Sequence, residues 1–200
     1  MDLVLNARSS PPNRICSICK AEPSTLRCVS CFHSPIFCKT CLLDTHTNSP
    51  FHRIEHWNGE CFLPSSLNTL GYILHLCRKS DKCTMTAISS NSSPFKSQSS
   101  GYDTLAMTLI SSTGIHTLTV AWCRCSQLEH HEQLFLARLY PATTTRPQTA
   151  FTFEVLDHFL VDNTVCKTTA YSFFEKLRHL TDPVNWQELP VCFILCVLPV

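Results

Sequence analysis

The stretch that decides the fold is residues 16–52, CSICKAEPSTLRCVSCFHSPIFCKTCLLDTHTNSPFH. It contains three Cys-x2-Cys pairs and then a pair of histidines separated by five residues. Two intervening residues let one tight turn present both sulfurs to a single tetrahedral Zn2+, so each cysteine pair is a candidate half-site for zinc. Four ligand pairs predict two zinc sites. The eight predicted ligands are Cys16, Cys19, Cys28, Cys31, Cys38, Cys41, His46 and His52.

The order of the four pairs predicts how they divide between the two metals. In cross-brace fingers the first and third pairs bind one ion, and the second and fourth pairs bind the other. An all-cysteine site would then use Cys16, Cys19, Cys38 and Cys41, and a mixed site would use Cys28, Cys31, His46 and His52. The ligand order resembles that of B-box and ZZ-type fingers, whereas RING fingers close on a late cysteine pair. His33 is an alternative ligand, but it follows Cys31 by only two residues, which favours the later histidines.

Zinc explains these cysteines better than disulfides do. The first 14 residues lack the apolar stretch of about 7–15 residues that marks a secretory signal. No apolar run reaches the roughly 18 residues of a membrane span. We therefore expect a protein that is not secreted and not membrane-bound, in a reducing compartment where stable disulfides are rare.

The size of the finger also favours structural zinc. Residues 15–52 are too few to bury enough apolar surface to fold alone, whereas a structural zinc contributes about 10–16 kcal/mol of apparent binding free energy. A catalytic zinc keeps an open coordination position. Eight protein ligands for two ions leave none open, so no enzyme activity is expected from these sites.

A second cysteine group follows later in the chain, where Cys123 and Cys125 form a C-x-C motif. Together with Cys83 and one of Cys77 or His75, they predict a third zinc site that clamps a β-hairpin to the preceding segment. The alternative is that these are ordinary buried or edge cysteines. The isolated cysteines are predicted to be core thiols, and they are Cys61, Cys166, Cys192 and Cys196.

The periodicity of the remaining sequence predicts an α+β fold. Apolar residues alternate in 101–110 and again in 114–123, with a glycine-containing turn at 111–114, which predicts the hairpin. Residues 126–140 predict an amphipathic helix capped by Ser126 and stopped by Pro141. A short strand through Phe151, Phe153 and Val155 and a helix over 170–180 follow. The predicted apolar side of that helix consists of Phe173, Phe174, Leu177 and Leu180.

Four stretches of the chain carry a family resemblance. They are PFHRIEHWNGECF, LNTLGYIL, STGIHTLTVAWCRC and LYPATTTRPQTAFTFEVLDHFLVDNTVCKTTAYSFFEKLRHLTD, and with the finger they cover about residues 15–182. In this order they resemble the CxC-type cysteine cluster domain found N-terminal to KDZ (Kyakuja–Dileera–Zisupton) transposases, which are common in fungal genomes. The last stretch, with its P-A-T and T-A-F-T-F-x-x-L-D motifs, is the most specific of the four.

The resemblance implies a domain organisation and a function. Residues 1–14 would be a flexible leader, 15–52 the two-zinc finger, 53–182 the cysteine cluster domain with a Ser-rich loop at 86–101, and 183–200 a divergent apolar tail. The implied function is a non-catalytic, zinc-binding accessory module of a transposase, nuclear or cytoplasmic, that recognises a DNA or protein partner. By this resemblance Cys83, Cys123 and Cys125 correspond to the later cysteines of the family, and Cys77 or His75 would take the place of the fourth ligand.

The charge and composition of the chain indicate which partners it is able to bind. The chain has 16 Lys and Arg against 15 Asp and Glu, whereas a protein that grips several phosphates needs basic clusters. A protein partner is therefore at least as well supported as DNA. Only four glycines are present, without either phosphate-binding loop pattern, and no small-molecule substrate is expected. The alternatives are a RING-like ubiquitin ligase module and a truncated or non-functional relic of a transposase gene.

Overall fold

Four helices and two sheets give the chain a mixed α+β fold over the residues that the structure describes. The structure is a computed structural model, and it describes residues 14–21, 23–77, 103–124, 127–182 and 185–189. The chain divides into two compact units, Met1–Tyr72 and Ile73–Val200. The predicted Ser-rich loop at 86–101 lies outside the described residues. No helix among the described residues is long and apolar enough to cross a membrane.

The first unit is built on a four-stranded antiparallel sheet with strand order β2-β1-β3-β4. Its elements are β1 (Leu26–Cys28), β2 (Ile36–Phe37), α1 (Lys39–Thr45), β3 (Ile54–Trp57) and β4 (Phe62–Ser65). In β1 a half-buried residue lies between two buried ones, because successive residues of a strand point to opposite faces. The apolar core consists of Leu26, Phe37, Leu42, Ile54, Trp57, Leu67 and Tyr72. It extends past the predicted finger, since Leu67 and Tyr72 follow His52 by 15 residues or more.

The second unit is built on a five-stranded mixed sheet with strand order β5-β7-β6-β9-β8. Its strands are β5 (Ile73–His75), β6 (Thr104–Ser111), β7 (Gly114–Ala121), β8 (Leu139–Pro141) and β9 (Thr149–Thr152). Its helices are α2 (His130–Leu136), α3 (Phe153–Cys166) and α4 (Ala170–Thr181), followed by a 3-10 turn at Trp186–Glu188. β5 pairs with β7 in parallel, β6 pairs with β9 in parallel, and the other two pairings are antiparallel.

The predicted hairpin is confirmed by the pairing of β6 with β7. The register runs from Thr104 opposite Ala121 to Ser111 opposite Gly114, so the connecting turn has only two residues. Met107 and Leu109 are buried, as the alternation predicts, whereas Leu105 near the start of β6 is exposed.

The core of the second unit lies between its sheet and the helices α3 and α4. The buried cluster consists of Ile110, Ile115, Phe151, Val155, Phe173, Phe174 and Leu177. The predicted helix over 170–180 is confirmed, with the hydroxyl of Thr169 accepting a hydrogen bond from the Ser172 amide as its N-cap. Of the four residues predicted for the apolar side of this helix, Phe173, Phe174 and Leu177 are buried and Leu180 is exposed.

The boundaries of the helix predicted at 126–140 were wrong. α2 begins at His130, where Glu129 is the N-cap and Glu132 completes a capping box, and it ends at Leu136. The helix stops before Pro141 because Arg138 adopts a left-handed conformation with φ of 60°. The chain then enters β8, which pairs with β9 and includes Pro141.

The strand predicted through Phe151, Phe153 and Val155 was only partly correct. Phe151 lies in β9, but Phe153 begins α3 and Val155 lies in its first turn. The change of structure occurs at Thr152, whose hydroxyl accepts a hydrogen bond from the Val155 amide at 3.2 Å. This N-cap starts a helix where the apolar pattern alone could continue a strand.

Two of the four cysteines predicted to be core thiols are exposed, which contradicts that prediction. Cys61 lies in the turn between β3 and β4, where its amide donates to the Asn58 side chain at 2.8 Å. Cys166 is the last residue of α3. Cys61 lies in a turn and Cys166 at the end of a helix, and at both places the side chain is open to solvent. Cys192 and Cys196 lie outside the described residues.

Candidate metal centres

Two clusters of ligand atoms lie in the first unit. One joins Cys16, Cys19, Cys38 and Cys41, and the other joins Cys28, Cys31, His46 and His52; within each cluster the ligand atoms lie within 4.8 Å of one another. These are the two sets that the cross-brace order predicts. Both clusters could hold a metal ion. The first is called here the all-cysteine cluster, and the second, with two cysteines and two histidines, is called the mixed cluster.

The all-cysteine cluster is held by a turn and by a helix start. The first cysteine pair lies in the turn at 16–19, which is attached to β2 because the Ser17 amide donates to the Ile36 carbonyl at 2.8 Å. The other pair of this cluster, Cys38 and Cys41, lies at the start of α1, with Cys38 at the N-cap position of the helix. The sulfurs of Cys19 and Cys38 are 3.9 Å apart. Tetrahedral zinc with normal Zn–S bonds would separate two sulfurs by about 3.8 Å, so the spacing fits.

The thiols of the all-cysteine cluster differ in how readily they lose a proton. Burial acts to raise the pKa of Cys16, but hydrogen bonds from the backbone at Cys38, Cys19 and Ile18 bring the pKa down to about 6. The hydrogen bond with Cys38 and burial raise the pKa of Cys41 to about 12. One thiolate is therefore already favoured, and a bound metal would displace the proton of Cys41.

The mixed cluster draws its ligands from four places in the sheet and helix. Cys28 ends β1, Cys31 lies in the following turn, His46 caps the C-terminus of α1, and His52 precedes β3. The Nε2 atom of His46 is 3.3 Å from the Cys31 sulfur, and the Nδ1 atom of His52 is 3.4 Å from that sulfur and 3.5 Å from the Cys28 sulfur. Tetrahedral zinc would separate sulfur and nitrogen ligands by about 3.6 Å, so this cluster also has nearly the right size.

Hydrogen bonds fix the ring of His46 for metal binding. Its Nδ1 atom lies 2.9 Å from the Leu42 carbonyl oxygen, and because a carbonyl only accepts, Nδ1 carries the proton. The unprotonated Nε2 then faces the sulfurs, which is the arrangement of a metal-binding histidine with a backbone partner. Burial and the adjacent His46 lower the pKa of His52, which favours the neutral ring that a metal requires.

His33, the alternative ligand, belongs to neither cluster. It is exposed, it adopts a left-handed conformation with φ of 64°, and its ring contacts Phe32. The structure therefore groups His46 and His52 with the cysteines, which is the set that the spacing favours.

The second cysteine group is only partly described, because Cys83 and Cys125 lie outside the described residues. The parallel pairing of β5 with β7 places His75 opposite Ala121, so Cys77 and Cys123 each follow the last paired residue by two positions. Cys77 is half-buried and Cys123 is buried. This placement fits a site that joins the two strand ends, and the third zinc site stays a prediction.

Gln133, in α2, supports the backbone of the C-x-C segment, and the sequence pattern did not reveal this role. Its buried side chain accepts a hydrogen bond from the Cys123 amide at 2.8 Å and donates to the Cys123 carbonyl at 3.1 Å and the Leu128 carbonyl at 3.0 Å. The ring of Trp122 stacks on His130 at 4.0 Å. α2 therefore fixes the backbone where the C-x-C motif begins, and no local motif distinguishes this glutamine from an ordinary surface residue.

The fold and the two clusters define a cysteine-rich α+β protein with two groups that could hold metal. The family model for the CxC2 like cysteine cluster associated with KDZ transposases matches residues 67–185. This match covers more than half of the chain, and the chain belongs to that family. Comparisons with curated proteins and with solved structures gave no significant match.

The family match begins at residue 67, after the predicted finger at 15–52. The three later stretches of the resemblance lie inside 67–185, whereas PFHRIEHWNGECF and all eight predicted finger ligands lie before it. The family is therefore established by the cysteine cluster domain, and the assignment of the finger to the same family stays a prediction.

Proposed function

We propose that this chain is a non-catalytic, zinc-binding accessory module of a KDZ-type transposase, and that its finger is a cross-brace of the B-box or ZZ type that recognises a partner molecule. The observation that carries the proposal is the pair of four-ligand clusters, in which sulfur and nitrogen separations of 3.3–3.9 Å match tetrahedral zinc. The family match supplies the association with transposases.

The donor set supports zinc in a structural role. Thiolates and imidazoles are the ligands of structural zinc, and hard cations such as Mg2+ and Ca2+ prefer oxygen. Each cluster offers four protein donors, so a tetrahedral ion would have no position left for water or substrate. The closing pair of histidines also supports the B-box or ZZ type over a RING-like ligase module.

The charge of the first unit supports a protein partner over DNA. Its basic residues from 14 to 72 are Arg14, Lys20, Arg27, Lys39 and Arg53, and its acidic residues are Glu22, Asp44, Glu55 and Glu60. Zinc bound to four thiolates would add about two negative charges. Arg27 is also paired with Glu55 at 2.6 Å. The described part of the unit therefore has no cluster of basic residues with which to neutralise several phosphates.

Apolar side chains on the surface of the first unit support the same conclusion. Phe32, in the turn after Cys31, is 86% exposed, and Ile15 and Ile18 beside the first cysteine pair are about half exposed. We propose that these side chains form part of the surface that binds the protein partner, because contiguous exposed apolar surface is what such partners cover.

We expect the purified full chain to contain at least two zinc ions per molecule by native mass spectrometry, because two complete clusters are present. A third ion would support the predicted site at Cys83, Cys123 and Cys125. Folded protein with no bound zinc would contradict the proposal.

We expect the zinc-loaded chain to show no strong, salt-dependent binding to duplex DNA in fluorescence anisotropy titrations from low to physiological salt. A protein that neutralises several phosphates loses affinity steeply over this range as counterions compete. Tight binding at low salt that weakens steeply on salt addition would instead identify DNA as the partner.

A further inference from the structure

The loop between the two histidines of the mixed cluster determines where both rings lie. It spans residues 46–52 and connects α1 to β3. Within the loop the Ser49 amide donates to the His46 carbonyl at 3.0 Å, and the His52 amide donates to the Ser49 carbonyl at 3.3 Å. These two turns fix the shape of the loop. Its C-terminal end is attached to the turn that carries Cys28 and Cys31, because the Arg53 amide donates to the Ser30 hydroxyl at 2.9 Å and the Val29 amide donates to the Arg53 carbonyl at 3.0 Å. The half of the loop next to His46 needs a contact of its own.

An external contact to this loop comes from Tyr72. The Tyr72 hydroxyl donates a hydrogen bond to the Thr47 carbonyl at 2.8 Å, one residue after His46. The side chain is buried, with only 7% of its surface exposed. Burial also raises the pKa of Tyr72 to about 12, so the hydroxyl keeps the proton that it donates.

The backbone around Tyr72 is itself held in place. The Tyr72 amide donates to the Leu67 carbonyl at 3.0 Å, and the Gly71 amide donates to the Asn68 carbonyl at 2.9 Å. Leu67 is buried at the start of this turn. The ring of Tyr72 therefore projects from a hydrogen-bonded turn of the same unit, and its hydroxyl meets the histidine loop at a defined point.

We propose that Tyr72 is a positioning residue for the mixed cluster, acting through the Thr47 carbonyl to hold the His46–His52 loop at metal-binding distance from the cysteines. The inference rests on the proposed zinc binding and adds to it a residue 20 positions beyond the last ligand. Tyr72 also lies inside the family match at 67–185. A residue of the cysteine cluster segment thus supports a metal site of the preceding finger.

The test compares the full-length chain with its Tyr72→Phe variant, which loses only the hydroxyl. Tyr171→Phe is the matched control, because Tyr171 is an exposed tyrosine of α4 in the second unit. Each protein is titrated with Co2+, whose absorption spectrum distinguishes four-sulfur coordination from two-sulfur, two-nitrogen coordination. Zinc is then titrated in competition with a chelator of known affinity.

We expect Tyr72→Phe to weaken metal binding at the mixed cluster by about tenfold, the lower end of the range for partners that bond a ligand directly, because Tyr72 bonds the loop and not a ligand. The all-cysteine cluster of the same molecule and both clusters of Tyr171→Phe should keep their affinities. Equal weakening of both clusters would overturn the positioning role, because it would show a general loss of stability. Unchanged affinity at both clusters would overturn it as well.

The result also separates this inference from the proposed function. If the unaltered chain binds neither Co2+ nor Zn2+, the zinc proposal itself fails. If it binds two ions and Tyr72→Phe binds them equally well, zinc binding stands and only the role of Tyr72 is rejected. A metal-loaded variant that keeps the far-ultraviolet circular dichroism of the unaltered chain shows that any selective loss arises at the site.

Discussion

Removal of metal by a strong chelator is expected to unfold the first unit while the second unit keeps its sheet. Each structural zinc contributes about 10–16 kcal/mol of apparent binding free energy in small fingers. This equals or exceeds the roughly 5–15 kcal/mol of net stability of a whole domain. The first unit has a small apolar core around Leu42, Ile54 and Trp57, so it has little to replace the lost metal.

The two units can be followed separately by NMR in the full-length chain. Trp57 is buried in the first unit and Trp122 is buried in the second. On chelation, the indole signal of Trp57 should move to its unfolded position, and the signals of β6 and β7 should keep their dispersion. Unchanged signals from Trp57 after complete metal removal would show that zinc does not hold this unit together.

A pair of cysteine substitutions makes the same test without a chelator. Cys28→Ser removes a buried member of the mixed cluster, and we expect it to reduce the zinc content and disorder the first unit. Cys61→Ser is the matched control, because Cys61 is an exposed cysteine of the same unit outside both clusters. It should leave zinc content and spectrum unchanged. Equal effects of the two substitutions would indicate a general sensitivity to cysteine loss.

The ligand pairs could be predicted from sequence because the information in each pair is local. Two residues between cysteines define a turn, whereas the grouping of distant pairs into clusters came from the ligand order of cross-brace fingers. The hairpin was predictable for a related reason, since the alternation around Met107 and Leu118 matches the period of a strand. In the cysteine turns and in the hairpin, a few neighbouring residues specify the geometry.

Features that depend on distant contacts could not be predicted in the same way. Ser126 with Glu129 and Glu129 with Glu132 are overlapping capping patterns. The structure uses the second, which places Gln133 at hydrogen-bonding distance from Cys123. The hydrogen bond from Tyr72 to Thr47 spans 25 residues and has no local pattern. Isolated cysteines such as Cys61 likewise carry no periodic signal of burial.

Replacement of Arg178 is expected to have the largest effect of any charge substitution on α4. Its guanidinium is buried, with 6% of the residue exposed, and it pairs with Glu175 at 2.7 Å. It also donates to the carbonyls of Gln187 at 3.0 Å and Leu189 at 3.2 Å. Arg178 thus joins α4 to the segment that follows it, and its loss leaves a carboxylate and two carbonyls without this partner.

We expect Arg178→Ala to lower the free energy of unfolding of the second unit by about 2–3 kcal/mol, the upper part of the range for hydrogen bonds made by a charged group, because its partner Glu175 is itself partly exposed. Lys176→Ala is the matched control on the same helix. Lys176 pairs with Asp162, but its side chain is 48% exposed, and exposed pairs contribute about 0–1 kcal/mol. Amide hydrogen exchange at Leu109 and Ile110, in the centre of the sheet, reports the stability of this unit alone.

The difference in exchange rates between the two variants shows whether Arg178 stabilises the second unit. If Arg178 stabilises the unit as its hydrogen bonds indicate, exchange at Leu109 and Ile110 should accelerate on the order of a hundredfold in Arg178→Ala. In Lys176→Ala it should change by only a fewfold, because solvent screens that pair. Similar rates in the two variants would mean that the cost of desolvating the guanidinium cancels what its hydrogen bonds contribute, and that the apolar cluster around Phe174 and Leu177 holds α4 on the sheet without it.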